Sequence, residues 1–480
     1  MTPSPPALTS FVAGDWVPAD GPSDIVVDKF DGSPVARVHA VDAEDVRRAL
    51  TALAAGHARI RLGPRDRAAI LTRAAELVQQ RREHLVSLVQ QDTGFVRSDA
   101  VAEVKRTIET LTLCAEEAKR LTGHLVPVAA ALGGAGRLAY TRLDPLGIIC
   151  AITPFNSPLN TVAHKVGPAI AAGNAVVLKP AVQTPATADA FVRILLDAGM
   201  PPDLIALLHG PGRTVGQWLT EDPRPAFYAF TGSTAVGRRI HATVGMRPVQ
   251  LEMGGLASTI ICADADLDAA TTAVVNSGLV RKAGQVCTSV QRLYVDNAVL
   301  AEVTELLRAK ASAQVAGDPR DPGTSVGPLI APSEAERVHA WIREAVDAGA
   351  ELVAGGRRTG SVVEPTVLTG VPTTARVMCE EVFGPVLVLR GFDDLNQAIT
   401  EINDNPYGLA GGIFTRDLGQ ALQAAERIAV GAFYVNDTSA SRVDTMPFHG
   451  LKDSGFGSAE GPAYAIRAMS CERVISIRQP

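Results

Sequence analysis

Residues 146–180 read LGIICAITPFNSPLNTVAHKVGPAIAAGNAVVLKP, and this stretch decides the fold. Two apolar runs, Leu146–Ile152 and Ala175–Leu178, have the length and composition of buried strands, and Pro158–Ala172 between them has the spacing of a helix. A strand, a helix and a second strand of this kind form the unit from which parallel sheets are built. The stretch therefore predicts an α/β fold whose sheet is covered on both faces.

The same alternation continues to about residue 252 and starts again near residue 256. The first set adds predicted strands at Ile205–Leu208, Ala226–Phe230 and Pro248–Leu251 and predicted helices at Pro185–Ala198, Thr214–Thr220 and Ser233–Val244. The second set has predicted strands at Thr259–Cys262, Leu293–Val295, Glu351–Ala354, Val386–Leu389, Gly412–Thr415 and Ala432–Val435. Its predicted helices are Asp266–Asn276, Ala298–Ala313, Glu334–Ala348, Asp394–Asp404 and Leu418–Ile428. Because 480 residues exceed what one hydrophobic core usually supports, the two sets predict separate α/β domains.

The segments outside these sets predict helices and a hairpin. Helical spacing begins at Asp42 and recurs over Pro64–Gln91 and Ser98–Leu121. Residues 123–147 predict a hairpin with its turn at GGAG (133–136), and Val474–Ile477 predicts a strand that pairs with this hairpin in the same or another subunit. A hairpin that leaves a domain exposes its edges, which are commonly covered by another subunit.

The composition excludes several classes of protein. Lys and Arg number 45 and Asp and Glu 51, which gives a net charge of −6 and argues against nucleic acid as a partner. The longest apolar runs are too short to cross a bilayer, and the first residues lack the basic and apolar segments of a secretory signal. Six scattered cysteines without a CxxC pair and nine histidines without ligand spacing favour a cytoplasmic protein with reduced thiols and no metal site.

The most informative residues of the first set follow the predicted strands. Ligands of an open parallel sheet bind beyond the carboxyl ends of its strands, where the sequence places Thr153–Asn156, Lys179 and Thr231–Gly237. The last of these opens a helix whose free N–H groups suit a phosphate anion, although Ser233 fits an ordinary helix cap as well. Lys179 fits either a contact with a sugar hydroxyl or a solvated surface. The glycine-rich Gly210–Gly216 does not match GxGxxG.

Two reactive side chains stand beside glycines. Cys287 lies in GQVCTSVQR (284–292), where Gly284 lets the backbone turn before a predicted strand at Val290–Val295. Its thiol is well sited for a nucleophile, but a buried structural cysteine fits the local sequence equally well. Glu252, in LEMGG (251–255), lies between a strand and two glycines, where a buried carboxyl with a raised pKa acts as a base.

Eight motifs in a fixed order resemble those of the aldehyde dehydrogenase superfamily. The resemblance covers about Asp15 to Gly457, nearly the whole chain, and so many ordered matches make chance agreement negligible. The motifs are TPFNSPL (153–159), GNAVVLKP (173–180), FTGSTAVG (230–237), LEMGG (251–255), GQVCTSVQR (284–292), EEVFGPVL (380–387), NPYGLAGG (405–412) and PFHGLKDSGFG (447–457). Within the superfamily, VAHK (162–165), SVQR (289–292) and RVDTMPF (442–448) resemble the branch acting on lactaldehyde, semialdehydes and phosphonoacetaldehyde.

The resemblance implies a covalent mechanism. Cys287, as a thiolate, adds to the aldehyde carbon, and the Asn156 side chain with the Cys287 backbone N–H binds the oxyanion. Removing one such donor typically costs on the order of 3 kcal/mol of transition-state stabilisation. After hydride transfer to the nicotinamide, Glu252 activates the water that hydrolyses the thioester. Relatives that pass the acyl group to coenzyme A typically lack this acid, so Glu252 favours a free carboxylic acid as product.

The resemblance also implies a site for NAD or NADP. Relatives that prefer NAD usually carry Glu three residues after the lysine that matches Lys179, where it accepts bonds from the ribose hydroxyls. Here that position is Val182, and the missing charge removes a repulsion against a 2′-phosphate, so we expect NADP to be accepted. The residues matched to the cofactor are Thr153, Pro154, Phe155, Lys179, Gly212, Gly232, Ser233, Val236, Gly237, Glu381 and Phe383.

Neighbours of the catalytic residues favour a small polar or anionic aldehyde. Ser157 and His164 stand where relatives that oxidise apolar aldehydes tend to carry aromatic residues. Relatives that bind phosphorylated or phosphonate aldehydes often have Arg before the nucleophile, and Val286 at this position weakens the phosphonate interpretation. Arg106 would supply charge near the mouth of the tunnel, although a helical arginine is more often a solvated one. The predicted substrate residues are Arg106, Ser157, His164, Val286, Thr288 and Arg442.

The implied fold has a Rossmann-type cofactor domain (1–118 and 142–252), an α/β catalytic domain (253–449), and a small β oligomerisation arm with a C-terminal tail (119–141 and 450–480). The expected partners are a small aldehyde and further copies of the chain in a homodimer or homotetramer. Two other functions stay open. A cofactor-independent cysteine esterase needs a histidine beside Cys287, and a non-catalytic relative is disfavoured by the joint retention of Asn156, Glu252 and Cys287.

Overall fold

A computed structural model describes residues 5–17 and 23–478. Residues 1–4, 18–22 and 479–480 lie outside this description, and with them the predicted outer ends of the first domain and of the tail. The α-helices of the described residues are α1 (Ala43–Arg59), α2 (Pro64–Gln80), α3 (Arg82–Thr93), α4 (Arg97–Arg120), α5 (Asn160–Ala172), α6 (Pro185–Asp197), α7 (Gln217–Glu221), α8 (Thr234–Val244), α9 (Leu267–Val275), α10 (Leu300–Ser312), α11 (Pro332–Asp347), α12 (Arg376–Cys379), α13 (Leu395–Asn403), α14 (Leu418–Arg427) and α15 (Pro462–Ala468).

The β-strands form two large sheets and several small ones. They are β1 (Ala7–Leu8), β2 (Ser10–Val12), β3 (Asp15–Val17), β4 (Ser23–Val27), β5 (Pro34–His39), β6 (Leu125–Val126), β7 (Arg137–Pro145), β8 (Ile148–Ile152), β9 (Ala175–Lys179), β10 (Ile205–Leu207), β11 (Pro225–Thr231), β12 (Val249–Glu252), β13 (Ser258–Ile261), β14 (Arg292–Asp296), β15 (Glu351–Ala354), β16 (Arg358–Thr359), β17 (Val362–Val363), β18 (Thr366–Thr369), β19 (Val386–Phe392), β20 (Tyr407–Gly408), β21 (Ala410–Phe414), β22 (Ala432–Val435), β23 (Leu451–Lys452), β24 (Gly455–Gly457) and β25 (Ser470–Arg478).

The first large sheet has the strand order β24-β12-β11-β8-β9-β10-β2-β3. Its five central strands are parallel, which confirms the alternation predicted from residue 146 onward. The outer strands β2, β3 and β24 run antiparallel to their neighbours and are absent from the prediction. Each has only three residues, too few for a periodic pattern to show. β24 lies in the predicted tail, yet it pairs with β12 of the first sheet.

The second large sheet has the order β15-β18-β19-β14-β13-β21-β22. All neighbours are parallel except β15 and β18, and the sheet contains all six strands predicted for the second set. The sequence prediction misses β18, a four-residue strand between a proline and a glycine. The carboxyl ends of both sheets therefore supply loops that can meet around one site.

One predicted helix is divided in the structure. The apolar spacing over Pro64–Gln91 predicts a single helix, but the chain leaves helical geometry at Arg81 (φ −97°, ψ 16°), which separates α2 from α3. The prediction is wrong here because the same apolar period continues on both sides of the break, with neither Pro nor Gly to mark it. At α1, by contrast, the helix begins where the spacing predicts, and the Asp42 side chain caps it by accepting from the Asp45 N–H at 2.8 Å.

The hairpin and the C-terminal strand form a three-stranded sheet in the order β25-β7-β6. β25 pairs with β7 over nine residues of the same chain, so the tail strand reaches the hairpin within one subunit. Apolar side chains remain exposed on this sheet, namely Leu125, Leu138, Val474 and Ile477. None of the helices in the described residues is both long and apolar enough to cross a membrane.

Candidate active site

A cavity of about 1020 Å³ lies at the carboxyl ends of β8, β9, β11 and β12 and brings together nearly all of the predicted residues. Those that line it are Arg106, Thr153, Pro154, Phe155, Asn156, Ser157, His164, Lys179, Gly212, Gly232, Ser233, Val236, Glu252, Val286, Cys287, Thr288, Glu381, Phe383 and Arg442. Gly237 is a predicted residue that does not line the cavity. A Cβ at this position would stand 2.2 Å from the Met253 sulfur, so glycine allows α8 to pack closely. Within residues 5–17 and 23–478, no three His, Cys, Asp or Glu side chains are grouped as metal ligands.

The loop that carries Cys287 is set by its backbone. Lys282 and Ala283 have left-handed backbones (both φ 52°), and Gly284 follows at φ 71°. A Cβ at Gly284 would stand 2.2 Å from the Gly384 carbonyl oxygen, so only glycine fits this approach. The turn leaves Cys287 partly exposed to the cavity, rather than buried in a core as the structural interpretation of this cysteine would require.

The Cys287 thiol is strongly perturbed. Burial, followed by the neighbouring carboxyls of Glu381 and Glu252, raises its pKa to about 12. The protonated thiol is therefore the resting form at neutral pH, and the thiolate has to be produced by transfer of its proton to a base. Nucleophilic attack by Cys287 at neutral pH therefore requires a base that first takes the thiol proton.

Alkylation of Cys287 in the absence of cofactor is expected to speed up about tenfold per pH unit between about pH 7 and pH 9. The sign follows from the raised pKa, because below it the reactive thiolate is a minor fraction that grows tenfold with each unit. The measurement is the rate of iodoacetamide labelling at Cys287, read by mass spectrometry of the digest. Loss of iodoacetamide in a protein-free blank at each pH corrects for reagent decay, and a plateau in the Cys287 rate below about pH 8 would contradict the raised pKa.

Asn156 lies against the nucleophile loop. It is buried, and its Nδ2 donates to the Gln285 carbonyl oxygen at 2.9 Å, two residues before Cys287. A side-chain amide has two N–H donors, so one remains free for another acceptor. The bond fixes the amide against the loop that carries Cys287, in the same cavity as the thiol, and leaves one N–H able to bind an oxyanion.

Glu252 ends β12 and is 2% exposed. Neither carboxyl oxygen accepts a hydrogen bond of ordinary geometry from the described residues. Burial and then the nearby Glu460 carboxylate raise the pKa of Glu252 well above its usual range. Glu460 itself is held by Lys165 Nζ at 3.2 Å and by Arg442 Nη1 at 2.9 Å. A buried carboxyl with unpaired oxygens, in the same cavity as the thiol, suits a group that takes up and returns a proton.

Two of the predicted substrate residues are held by an aspartate that the sequence analysis does not single out. His164 Nε2 lies 2.8 Å from Asp444 Oδ1, and Arg106 Nε donates to Asp444 Oδ2 at 3.1 Å. Burial alone would raise the pKa of Asp444, but the bonds from His164 and Arg106 outweigh it and hold that pKa well below its usual range. The Arg106 charge is therefore paired. Among the described residues no histidine bonds to the Cys287 thiol, so the arrangement needed by a cysteine esterase is not found there.

Two arginines in the cavity keep unused donors. Arg442 spends Nη1 on Glu460, but its Nε and Nη2 are buried with no acceptor among the described residues. Arg281 donates to the Ala440 carbonyl oxygen at 3.3 Å and forms no salt bridge with any described residue. Buried donors without an acceptor are costly, so this end of the cavity favours a ligand that brings negatively charged oxygens.

The opposite end of the cavity fits a dinucleotide. Lys179 is buried, donates to the Pro180 carbonyl oxygen at 2.8 Å, and has no salt-bridge partner among the described residues. Burial lowers its pKa to about 8. The Thr153 hydroxyl is buried and has no hydrogen-bond partner among the described residues, and both donors suit a ligand rich in hydroxyl and phosphate oxygens. Ser233 occupies the N-cap of α8 without making a capping bond, unlike an ordinary cap. Val182 is 43% exposed and does not line the cavity.

Glu381 and Phe383 also line the cavity. Glu381 Oε1 accepts from the Gly255 N–H at 3.1 Å, and a Cβ at Gly254 would stand 2.3 Å from Oε2, so the paired glycines admit this carboxyl. Burial raises the pKa of Glu381 to about 7. Phe383 has a left-handed backbone (φ 52°), and its ring meets the edge of Phe155 at 5.7 Å. Glu381 and Phe383 are therefore suited to contact a ligand group that is bound beside Cys287.

Residues 16–475 match the sequence model of the aldehyde dehydrogenase family. A 3-sulfolactaldehyde dehydrogenase from Priestia aryabhattai is 41% identical over 465 residues, which cover 97% of each chain. A crystal structure of aldehyde dehydrogenase 21 from Physcomitrella patens with the reaction product succinate is 35% identical, covers 99% of both chains and has a TM-score of 0.95. A glyceraldehyde-3-phosphate dehydrogenase from Methanocaldococcus jannaschii, complexed with NADP, is 33% identical over 95% of this chain and 99% of the other, with a TM-score of 0.91.

These similarities and the fold show that the chain belongs to the aldehyde dehydrogenase family. It is an enzyme that oxidises an aldehyde with NAD or NADP as the oxidant. The α/β fold inferred from the eight ordered motifs is confirmed.

Four charged residues of the cavity region are missing from the sequence prediction. They are Arg281, Lys282, Asp444 and Glu460. The first two lie only six and five residues before Cys287, so their closeness to the nucleophile was a usable signal. The two acids lie far along the chain from the side chains they bind, and only the fold brings them there.

Proposed function

We propose that the enzyme oxidises a small aldehyde bearing a carboxylate or sulfonate to the corresponding carboxylic acid. The observation that carries this proposal is Arg442, which lines the cavity and whose buried Nε and Nη2 have no acceptor among the described residues. Arg281 adds a second cation, which forms no salt bridge with any described residue. The oxygens of an anionic substrate would accept these donors, and charge-assisted hydrogen bonds are the strong ones.

In the proposed mechanism Glu252, once ionised, takes the thiol proton of Cys287, and the thiolate attacks the aldehyde carbon. The free N–H of the Asn156 amide and the Cys287 backbone N–H donate to the oxyanion. Lys179, Ser233 and Glu381 would hold NAD(P), which would supply the acceptor for the hydride. Glu252 releases the thiol proton to solvent, and its carboxylate then takes a proton from the water that attacks the thioester. The C–S bond breaks, the carboxylic acid leaves, and the proton on Glu252 passes to the Cys287 thiolate and restores the thiol.

Two similar proteins support an anionic substrate. One acts, by its name, on 3-sulfolactaldehyde, and the other holds succinate as its reaction product. Both compounds carry a negatively charged group on a short chain, which matches the positive charge of the Arg442 end of the cavity. Phosphonate is less well supported, because Val286 replaces the arginine expected before the nucleophile.

Arg442→Met is expected to lower kcat/KM about 30- to 100-fold for succinic semialdehyde, the anionic probe, and less than about threefold for propanal. The substitution removes a buried, charge-assisted contact with the anionic group, which is worth about 2–3 kcal/mol. Glu460 keeps its bond to Lys165 in the variant, so the neighbouring carboxylate stays paired. Initial rates of NAD(P)H formation with the two aldehydes provide the measurement.

The matched control is Arg65→Met, which removes an exposed arginine near the start of α2. We expect it to leave both substrates unaffected. Arg442→Lys, which keeps the charge, is expected to recover part of the selectivity for the anionic aldehyde. Equal losses for both aldehydes in Arg442→Met would contradict the proposed role of this residue.

NADP acceptance remains a prediction, with two supporting features. Val182 is exposed and uncharged, so no carboxylate at this position opposes a 2′-phosphate. Arg213 and Arg239 line the same end of the cavity and form no salt bridge with any described residue. Their free charges favour a doubly charged phosphate near Lys179.

We also propose a homodimer or homotetramer that works in the cytoplasm. The three-stranded sheet of β6, β7 and β25 supports the assembly, because its apolar side chains at Leu125, Val474 and Ile477 are exposed in the single chain. The six cysteines are all free thiols, which suits a reducing compartment. We likewise propose the domain division given above, in which the cofactor end lies on the first sheet.

A further inference from the structure

Lys282 is held in an unusual position five residues before Cys287. Its backbone is left-handed (φ 52°), which is uncommon for a residue with a Cβ, and its N–H donates to Asp99 Oδ2 at 2.8 Å. Its side chain is buried, although lysine is rarely buried unless it is paired. The local geometry therefore directs an ammonium group into the protein, beneath the nucleophile loop.

The ammonium of Lys282 uses all three of its donors. Nζ lies 2.7 Å from Glu103 Oε2, 2.7 Å from the Asn156 carbonyl oxygen and 2.7 Å from Ser157 Oγ. Two of the three acceptors belong to residues 156 and 157, and the Asn156 side-chain amide donates to the Gln285 carbonyl oxygen in the nucleophile loop. A single buried cation thus connects the nucleophile loop to the residue proposed to bind the oxyanion.

Glu103, a residue of α4, forms further hydrogen bonds with the same segment. Its other carboxyl oxygen, Oε1, accepts from the Leu159 N–H at 2.9 Å and from the Asn160 N–H at 3.3 Å, at the start of α5. The segment 156–160 is therefore held at its beginning by Lys282 and at its end by Glu103. Both holders lie outside that segment, so its position depends on this ion pair.

We propose that Lys282 is a positioning residue that sets the Asn156 amide at the distance required by the oxyanion. The inference rests on the proposed function, in which Asn156 donates to that oxygen. Lys282 does not touch the substrate in this account; it acts by fixing the backbone of Asn156 through the carbonyl contact. Misplacement of a catalytic group by about 1 Å is enough to cost up to about a hundredfold in rate.

The test is a double-mutant cycle between Lys282→Met and Asn156→Ala, with kcat expressed per titrated Cys287. In the wild-type background, Lys282→Met is expected to lower kcat about 10- to 30-fold, with the Kd for NADPH and the rate of Cys287 alkylation changed less than about twofold. In the Asn156→Ala background the same substitution is expected to lower kcat less than about twofold. The variant Glu103→Gln/Lys282→Met removes both charges of the ion pair and so leaves neither one unpaired. It is expected to lower kcat in the wild-type background and to have little effect in the Asn156→Ala background.

The control is Lys29→Met, which removes another buried lysine, one that donates to the carbonyl oxygens of Val27 and Gln183 and not to Asn156. Any loss it causes should be the same in both backgrounds. Equal losses from Lys282→Met in both backgrounds would overturn the inference and leave the proposed function intact. Undiminished kcat in Asn156→Ala alone would contradict the proposed oxyanion site itself, and this inference with it.

Discussion

Replacing Cys287 with serine is expected to lower the rate of NAD(P)H formation at least about 1,000-fold. The serine hydroxyl has nearly the same size as the thiol, so the cavity is preserved, but it is far harder to ionise and cannot form the thioester. The carboxyls of Glu252 and Glu381 near this position already disfavour a negative charge, and they would oppose an alkoxide still more strongly. Steady-state absorbance with a saturating aldehyde provides the measurement.

A matched control for this substitution is Cys379→Ser, because Cys379 is an exposed thiol outside the cavity. Its activity is expected to equal that of the unaltered enzyme. The Kd of Cys287→Ser for NADPH, measured by fluorescence, should change less than about threefold, since the cofactor end of the cavity is untouched. Retention of more than about a tenth of the activity in Cys287→Ser would exclude this thiol as the nucleophile.

Replacing Glu252 with glutamine is expected to separate the two halves of the reaction. The variant should produce up to one NAD(P)H per active site and then slow about 100- to 1,000-fold, because the thioester forms but its hydrolysis lacks the base. Some loss in the first phase is also expected, since Glu252 is the proposed acceptor of the thiol proton. Rapid-mixing absorbance would record the burst and the slow phase after it.

Added hydroxylamine should restore turnover in Glu252→Gln, because it attacks a thioester without a protein base. Glu380→Gln, at an exposed acid one residue before Glu381, is the matched control and is expected to behave like the unaltered enzyme. A linear time course without a burst, at a rate close to that of the unaltered enzyme, would show that Glu252 is not the base for hydrolysis.

The main features of the fold follow from sequence periodicity, and the exceptions have physical causes. Runs such as Ile148–Ile152 are buried on both faces of a parallel sheet, so their continuous apolar character is visible in the sequence. The edge strands β2, β3 and β24 have three residues each, and pairing with a neighbour, rather than a pattern of their own, makes them strands. The break at Arg81 is similar, because α2 and α3 both pack against α4, and the local apolar pattern continues through the break without marking it.

The candidate site also contains features that the sequence shows and features that only the fold produces. Asn156, Glu252 and Cys287 stand beside turns and glycines that the sequence displays, and all three line one cavity. The ion pairs of Arg106 with Asp444 and of Lys282 with Glu103 join residues far apart along the chain. Their formation depends on tertiary packing, which explains why a local pattern identified Arg106 as a cation but did not show that its charge is paired.

The most direct test of the central claim is the intact mass of the Glu252→Gln variant, recorded after mixing with NADP and succinic semialdehyde. The account predicts a covalent adduct on Cys287 equal to the mass of the aldehyde less two hydrogens, as required for a thioester. The adduct should form together with one equivalent of NADPH, should be removed by hydroxylamine, and should be absent when Cys287 is also replaced by serine. NADPH formation without any adduct, or an adduct that persists in the Cys287→Ser background, would contradict the account.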